Sequence, residues 1–413
     1  MYPCVIIPTF WAHRRSRTGR RGGAVYDHPT PVDQDGTLPD CLRSLEEVDG
    51  LGRVLVIVAT TDPSVEHAAE DRVRAILADF PGIEALVVGS AEMGSLHRRM
   101  EQLEFADLIS GVSLEGYGAV RNVGLIAAAV LGSEAVVFVD DDQIVTRSDF
   151  LTIAMEGIGE STSAGRVIMA KSGLYTDEAG NSMIADRRPW HDAFWPQIAL
   201  YNQALEMLGS GPRIRPTPVA FGGCLALHRD MYCNVSFDPW VARGEDIDYV
   251  INARMHGGDV FIDRDWTVIH RPPTVPSEAL QFRQDVYRFI YEHRKLEFSK
   301  SQVDLRQVTP DSLQPYPGHF VDGSIGWRSR TTAALRAIAG PERGEYARIA
   351  RNAVSHAADY ARENCERYFH FQRRWPLLLD RLWEDVALKS LFTGERRVDR
   401  SAITGRFPVI RPE

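Results

Sequence analysis

The sequence predicts an α/β protein, a mostly parallel sheet layered with helices, followed by a helical C-terminal extension. Three observations carry this. Continuous apolar runs, Cys4 to Ile7, Arg53 to Thr60, Ile83 to Val88 and Ala135 to Val139, leave no face for water and suit strands covered on both sides. Between them lie segments of helical periodicity, the alternation that builds right-handed parallel units. From Pro276 onward the character shifts to helix, with Pro310 to Gly326 as a linker or extended arm.

In chain order, the first strand runs from Cys4 and is expected to stop at Pro8 and Thr9. A long loop from Trp11 to Gly36 follows, punctuated by Gly22, Gly23, Pro29, Pro31 and Gly36, and a connection of that length inside a compact domain is usually functional or mobile. It contains His13 to Arg21, HRRSRTGRR, a run read either as a solvated loop or as a contact for an anionic ligand. Leu38 to Val48 have helical spacing, and Ser64 to Phe80 form a helix entered through Asp62 and Pro63. A further helix is expected around Leu96 to Leu108. Tyr117 to Leu131 then place Val120, Val123, Ala127 and Val130 inward and lead into the strand Ala135 to Val139.

That strand breaks off into Asp140, Asp141 and Asp142. Side-chain alternation along an extended chain puts Asp140 and Asp142 on one side and Asp141 on the other. Ligands of open α/β sheets collect at the carboxyl ends of strands, and two carboxylates converging there repel unless a cation or proton intervenes. Oxygen ligands suit Mg²⁺ or Mn²⁺, with coordination positions free for a substrate's phosphates. The plainer alternative is an acidic turn capping the next helix. Upstream, Arg121 and Asn122 follow Gly116 and Gly118 near a helix N-terminus, a place suited to phosphate or carboxylate, or else to a surface salt bridge.

A second constellation spans Phe221 to Arg271. Gly222 and Gly223 open a strand and permit close backbone approach to a ligand. Gly244, Glu245, Asp246 and Asp248 open a helix, where acids are also favoured simply by the dipole. A closing strand ends at His270, and a lone histidine there is more often structural than a ligand. Between the constellations, Arg187 to Pro196 bring Trp190, His191, Asp192 and Trp195 together, as an acceptor lid or as tryptophans buried under a loop.

Composition sets limits. With 413 residues, the chain has ample length for a large core and for two or more domains. A net charge of -9 argues against a general nucleic-acid binder. The five cysteines lack any CxxC pair, so neither a disulfide framework nor a zinc site is expected. Absence of a long apolar run and of a signal-like N-terminus gives a cytoplasmic expectation with no membrane span.

Taken in order, Pro8-Thr9, Arg121-Asn122, Asp140 to Asp142, Gly222-Gly223, Phe237-Asp238, Gly244-Glu245-Asp246 and His270 resemble the motifs of family-two-like nucleotide-diphospho-sugar glycosyltransferases of the GT-A fold. The resemblance implies a Rossmann-like catalytic domain over residues 1–275 and a helical extension over 276–413. It implies metal ligation by Asp140, Asp142 and His270, and donor contacts from Pro8, Thr9, Arg121, Asp140, Asp141, Gly222 and Gly223. Asp246 corresponds to the general base of inverting members, with Glu245 as neighbour or substitute. The implied cofactor is Mn²⁺ or Mg²⁺, the donor a UDP- or GDP-linked sugar, and the acceptor a small molecule or saccharide. The extension would shape the acceptor site or form a homo-oligomer contact. One departure stands out: the second strand ends VIVATTDP, leaving only Asp62 where the family often has an acidic cluster for the nucleotide base. A retaining transferase, a nucleotidyltransferase and a non-catalytic nucleotide-sugar binder are the alternatives.

Overall fold

The computed structural model describes residues 2–13, 26, 29–187, 189–272 and 277–394. The five arginines of the 13–21 run lie outside these residues, as does Arg188. The strands are β1 (Cys4–Ala12), β2 (Thr30–Pro31), β3 (Val54–Thr60), β4 (Ala85–Val88), β5 (Ala135–Phe138), β6 (Gln143–Ile144), β7 (Ala170–Thr176), β8 (Ile214–Pro216), β9 (Leu225–His228) and β10 (Val260–His270). They form one sheet in the order β4-β3-β1-β5-β9-β7-β10-β6, with β2 on β1 and β8 on β10.

The half built from the apolar runs, β4-β3-β1-β5, is entirely parallel. β9 then inserts antiparallel between β5 and β7, so the sheet is mixed, and β7 and β10 return to parallel pairing beyond it. Its crossover helices are α1 (Leu38–Leu45), α2 (Glu66–Ala78), α3 (Ser90–Gln102) and α4 (Tyr117–Val130). α4 is buried along almost its whole length, which fits a helix apolar on every side.

β1 does not stop at Pro8. The Val5 N–H donates to Arg53 on the β3 side, so by alternation position 8 faces β5. Pairing with β5 extends only to Ile6, and a proline beyond that point leaves no ladder bond unmade. β1 therefore continues to Ala12, carrying Pro8 and Phe10 past the end of β5.

The later helices are α5 (Phe150–Met155), α6 (Gln197–Leu208), α7 (Arg229–Tyr232), α8 (Glu245–Met255), α9 (Glu278–Ser299), α10 (Ile325–Ala339), α11 (Arg343–Arg348), α12 (Val354–Leu382) and α13 (Val386–Phe392). α9 starts where Ser277 accepts from the Leu280 N–H at 3.1 Å, a conventional N-cap. The helical region is not loosely appended. Residues of β1 and of α12 belong to one continuous apolar cluster. Buried polar contacts add to it: Gln372 Oε1 accepts from the Ser236 N–H at 2.8 Å, and Trp375 Nε1 donates to the Tyr232 carbonyl at 2.8 Å.

A fully buried ionic cluster joins α9 to the second constellation. Lys295 Nζ lies 2.6 Å from both Asp238 and Asp248, and all three side chains are wholly inaccessible to solvent. Tyr291 donates to Asp238 at 2.9 Å and Asn252 to Asp248 at 2.9 Å. Asp238 and Asp248 are thus structural acids. Asn122 is structural too, exchanging hydrogen bonds with the Phe237 backbone at 2.9 and 3.0 Å. No helix among the described residues is long and apolar enough to cross a membrane.

Candidate active site

A cleft of about 430 Å³ opens at the carboxyl ends of β1 and β5 and receives residues from widely separated stretches between Pro8 and Arg288. Pro8 and Phe10 come from β1, Tyr117 and Arg121 from α4, and Asp140 to Asp142 from the turn after β5. Tyr175 comes from β7, Gly244 to Ile247 from the start of α8, His270 from the end of β10, and Gln281 and Arg288 from α9.

Arg121 organises the floor. It is almost completely buried; its Nε donates to Glu245 Oε1 at 2.8 Å, Nη2 to Asp140 Oδ1 at 3.0 Å and Nη1 to the Gly222 carbonyl at 3.0 Å. The guanidinium also stacks over Phe138 at 5.1 Å. A planar fork with five donors is suited to hold two carboxylates and a carbonyl at once. Glu245 is therefore committed to Arg121.

The acidic run is a turn, not an extension of the strand. β5 ends at Phe138, although the Val139 N–H still donates to Ile6, and the Gln143 N–H closes back on the Asp140 carbonyl at 3.2 Å. The expected strand alternation fails for this reason, and the three acids take three separate environments. Asp140 accepts from Arg121 and, through Oδ2, from the Tyr175 hydroxyl at 3.1 Å. Asp141 accepts from Thr9 Oγ1 at 2.6 Å. Asp142 Oδ2 lies 3.3 Å from His270 Nε2, and its Oδ1 is buried without a hydrogen-bond partner among the described residues.

Burial, followed by the charge of Asp142, pushes the Asp141 carboxyl up to about 8. Burial also raises Asp140, against the pull of Arg121. Such crowding of carboxylates favours uptake of a proton or a cation. The expected three-ligand clamp is nevertheless not assembled: among the described residues no group of three or more His, Cys, Asp or Glu side chains is disposed to hold a metal ion. Asp140 faces Arg121 and Tyr175 instead. Asp142 and His270 remain as a pair, and the orphaned Asp142 oxygen is what a divalent ion bound mainly by substrate oxygens would need.

Gly222 and Gly223 serve the site's own side chains more than a ligand. A Cβ on Gly222 would stand 2.5 Å from Arg121 Nη2, and one on Gly223 would stand 2.1 Å from Gln143 Nε2 and 2.6 Å from Asp140. The Gly223 N–H donates to the Tyr175 hydroxyl at 2.7 Å. Thr9 is wholly buried beneath Asp141. Pro8 lines the cleft directly.

Asp246 stands at the first turn of α8. Its Oδ2 accepts from the Gly222 N–H at 3.0 Å and its Oδ1 from the Ile247 N–H at 2.8 Å. Burial and then the neighbouring Glu245 push its carboxyl up to about 6, so it is mostly ionised at neutral pH and more basic than an exposed aspartate.

Several lining residues escaped the sequence reading. Tyr175 bridges Asp140 and Gly223, with its ring 4.6 Å from that of His270. Phe10, Tyr26 and Tyr117 form an aromatic wall, with centroids 4.3 to 5.3 Å apart. Trp195 is not a lid; it is buried against Phe282, Phe289 and Phe320. Its neighbours Arg187, His191 and Asp192 line a second cleft of about 730 Å³, which meets the first at Gln281. Asp62 caps a turn, accepting from the Ser64 N–H at 2.8 Å.

No family model matches the chain, and no curated protein matches it. Among solved structures it is similar to the mannosyltransferase PcManGT from Pyrobaculum calidifontis in complex with GDP-Man and Mn²⁺, at 15% identity, over 93% of this chain and 88% of that one, with a TM-score of 0.46. It is also similar to glucosyl-3-phosphoglycerate synthase from Mycobacterium tuberculosis in complex with Mn²⁺, UDP and phosphoglyceric acid, at 17% identity, over 66% and 71% of the two chains, with a TM-score of 0.35.

Proposed function

We propose that this chain is a metal-dependent glycosyltransferase that moves a sugar from a UDP- or GDP-linked donor to an acceptor hydroxyl with inversion, Asp246 acting as base. The observation that carries the reading is the meeting of Arg121, Asp140 to Asp142, Asp246 and His270 in one cleft, from four separate stretches of sequence. In that cleft Asp246, an acid of raised basicity, is held by backbone N–H groups, while Asp142 pairs with His270.

Asp142 and His270 are the residues that would hold Mn²⁺ or Mg²⁺, which when bound supplies Lewis-acid stabilisation of a leaving diphosphate. The chain's own residues do the rest. Arg121 holds Asp140 and Glu245 fixed, so the floor does not reorganise as charge develops. Tyr175 orients Asp140 and the Gly223 backbone. The aromatic wall of Phe10, Tyr26 and Tyr117 offers ring faces to a nucleobase. Asp246, locked by two backbone N–H groups, accepts the acceptor hydroxyl's proton as that oxygen attacks, and direct displacement inverts the anomeric centre.

Incubating the full chain with Mn²⁺ and a panel of nucleotide sugars tests this. Slow, chelator-sensitive release of nucleoside diphosphate is expected. Pyrophosphate release would point to nucleotidyl transfer, and binding without turnover to a non-catalytic sensor.

A further inference from the structure

One cation in the cleft has no part in the chemistry above. Arg288 comes from α9, in the C-terminal helical region, and only 4% of its side chain is exposed. Its Nε donates to Glu292 Oε1 at 2.8 Å, and Nη1 reaches the Tyr316 hydroxyl at a long 3.5 Å. Nη2 is buried and has no hydrogen-bond partner among the described residues. Unpaired buried donors are rare in folded proteins, and one on a charged group is costlier than most. The guanidinium stacks 5.0 Å from the Phe289 ring centroid, which fixes its plane.

The backbone beside it is shaped to receive it. Gly244 has φ +66, and a Cβ there would come within 2.1 Å of Arg288 Nη1 and 2.3 Å of Cζ. Glycine at this position therefore makes the left-handed turn into α8 and also gives the guanidinium its place against the chain, two residues from Asp246. Gly244, against which the guanidinium rests, belongs to the turn that carries Asp246, whereas Asp140, Asp142 and His270 are held by Arg121, by Tyr175 and by each other. Arg243 adds a second positive group to the same wall, 3.7 Å from Asp285.

Resting on the glycosyl-transfer reading, we propose that Arg288 is a specificity-determining residue whose Nη edge binds a carboxylate or phosphate on the acceptor, so that the acceptor is an acidic hydroxyl compound. In a chain of net charge -9, a buried guanidinium with an unpartnered donor gives an anionic acceptor a local positive group. Glu292 accepts from Nε alone and its Oε2, like Arg288 Nη2, has no hydrogen-bond partner among the described residues, so a donor of the kind that matches carboxylate and phosphate remains unused on a residue that lines the cleft. An acceptor oxyanion held there would set its hydroxyl beside Asp246.

The test uses the full chain preloaded with Mg²⁺ and UDP or, separately, GDP, and titrated calorimetrically with inorganic phosphate and, as a neutral control, glycerol. Saturable phosphate binding is expected, weakened about 10- to 100-fold by Arg288→Gln, the loss typical of a charge-assisted hydrogen bond, and less by Arg288→Lys. Nucleoside diphosphate affinity should change less than about twofold. Gly244→Ala, which keeps the arginine but displaces its guanidinium, should reproduce the loss and serves if Arg288→Gln does not fold. Absence of saturable phosphate binding, or binding indifferent to both variants, would overturn the proposal. Equal weakening of nucleoside diphosphate would assign Arg288 to the donor and overturn it as well. Failure of UDP and GDP to bind at all would remove the glycosyl-transfer reading separately, since phosphate titration of the unliganded chain still reports on Arg288.

Discussion

Replacing Arg121 with methionine should expose how much of the site's organisation rests on one side chain. The substitution keeps the apolar contact with Phe138 but removes the donors to Glu245, Asp140 and the Gly222 carbonyl. Breaking a buried ion pair from one side typically costs about 3–5 kcal/mol, because the remaining charge is stranded. Glu245 contributes most of this, with 8% of its side chain exposed; Asp140, with 26% exposed, is partly rescued by water. The penalty must also depend on pH. Burial already raises Asp140, and Arg121 is the largest influence opposing that rise. Without Arg121 the folded-state value climbs further above the unfolded one. A raised carboxyl stabilises the fold in its protonated state, fully below the unfolded value near pH 4 and progressively less as pH rises. One proton over two pH units corresponds to about 2.7 kcal/mol, an upper limit that the exposure of Asp140 lowers. Urea unfolding of wild type and Arg121→Met at pH 5 and pH 7, with m-values compared, measures both quantities. A penalty below about 1 kcal/mol, or one that shrinks as pH rises, would refute the buried-clamp account.

Lys295→Met should destabilise the fold by a similar amount, about 3–5 kcal/mol, because it leaves Asp238 and Asp248 without their shared cation; urea unfolding reads it, and a near-neutral result would mean the cluster tolerates protonation instead. Asp142→Asn should weaken Mn²⁺-dependent donor binding by at least about tenfold, and His270→Ala by about 10- to 100-fold, both by calorimetry; unchanged binding would return the pair to a purely structural role. The kcat/KM profile should fall on the acid side near pH 6, because the Asp246 carboxyl, pushed up to about 6 by burial and by Glu245, must be ionised to accept a proton; an acid limb near pH 4 would show a more exposed base.

Much of the fold is legible in the chain because buried parallel strands are written as unbroken apolar runs. The direction of β9 is not, since an apolar run reads the same in a parallel and an antiparallel ladder. Helical spacing over Tyr346 to Tyr368 and over Trp375 to Leu391 suggests two separate segments, whereas α12 runs unbroken from Val354 to Leu382, through Pro376. Within the site, acids and glycines in short motifs were visible. Their side-chain directions were not, because the Asp140 to Asp142 run turns where a strand pattern predicts alternation. Tyr175 and Arg288 had no local motif to mark them. The signal for Arg288 was its i,i+4 spacing to Glu292 on a stripe of Asp285, Arg288, Glu292 and Lys295, charged residues at helical spacing beside the apolar stripe of Phe282, Val286 and Phe289.

The most direct test of the proposed mechanism is the turnover number of Asp246→Asn, measured beside its Mn²⁺-dependent donor affinity and its melting temperature. The amide keeps one oxygen for the Gly222 or Ile247 N–H and loses the proton-accepting charge. The account predicts turnover reduced by about 10²- to 10⁴-fold, donor affinity unchanged and only a small loss of stability. Near-normal turnover in Asp246→Asn would contradict it, whatever the donor affinity.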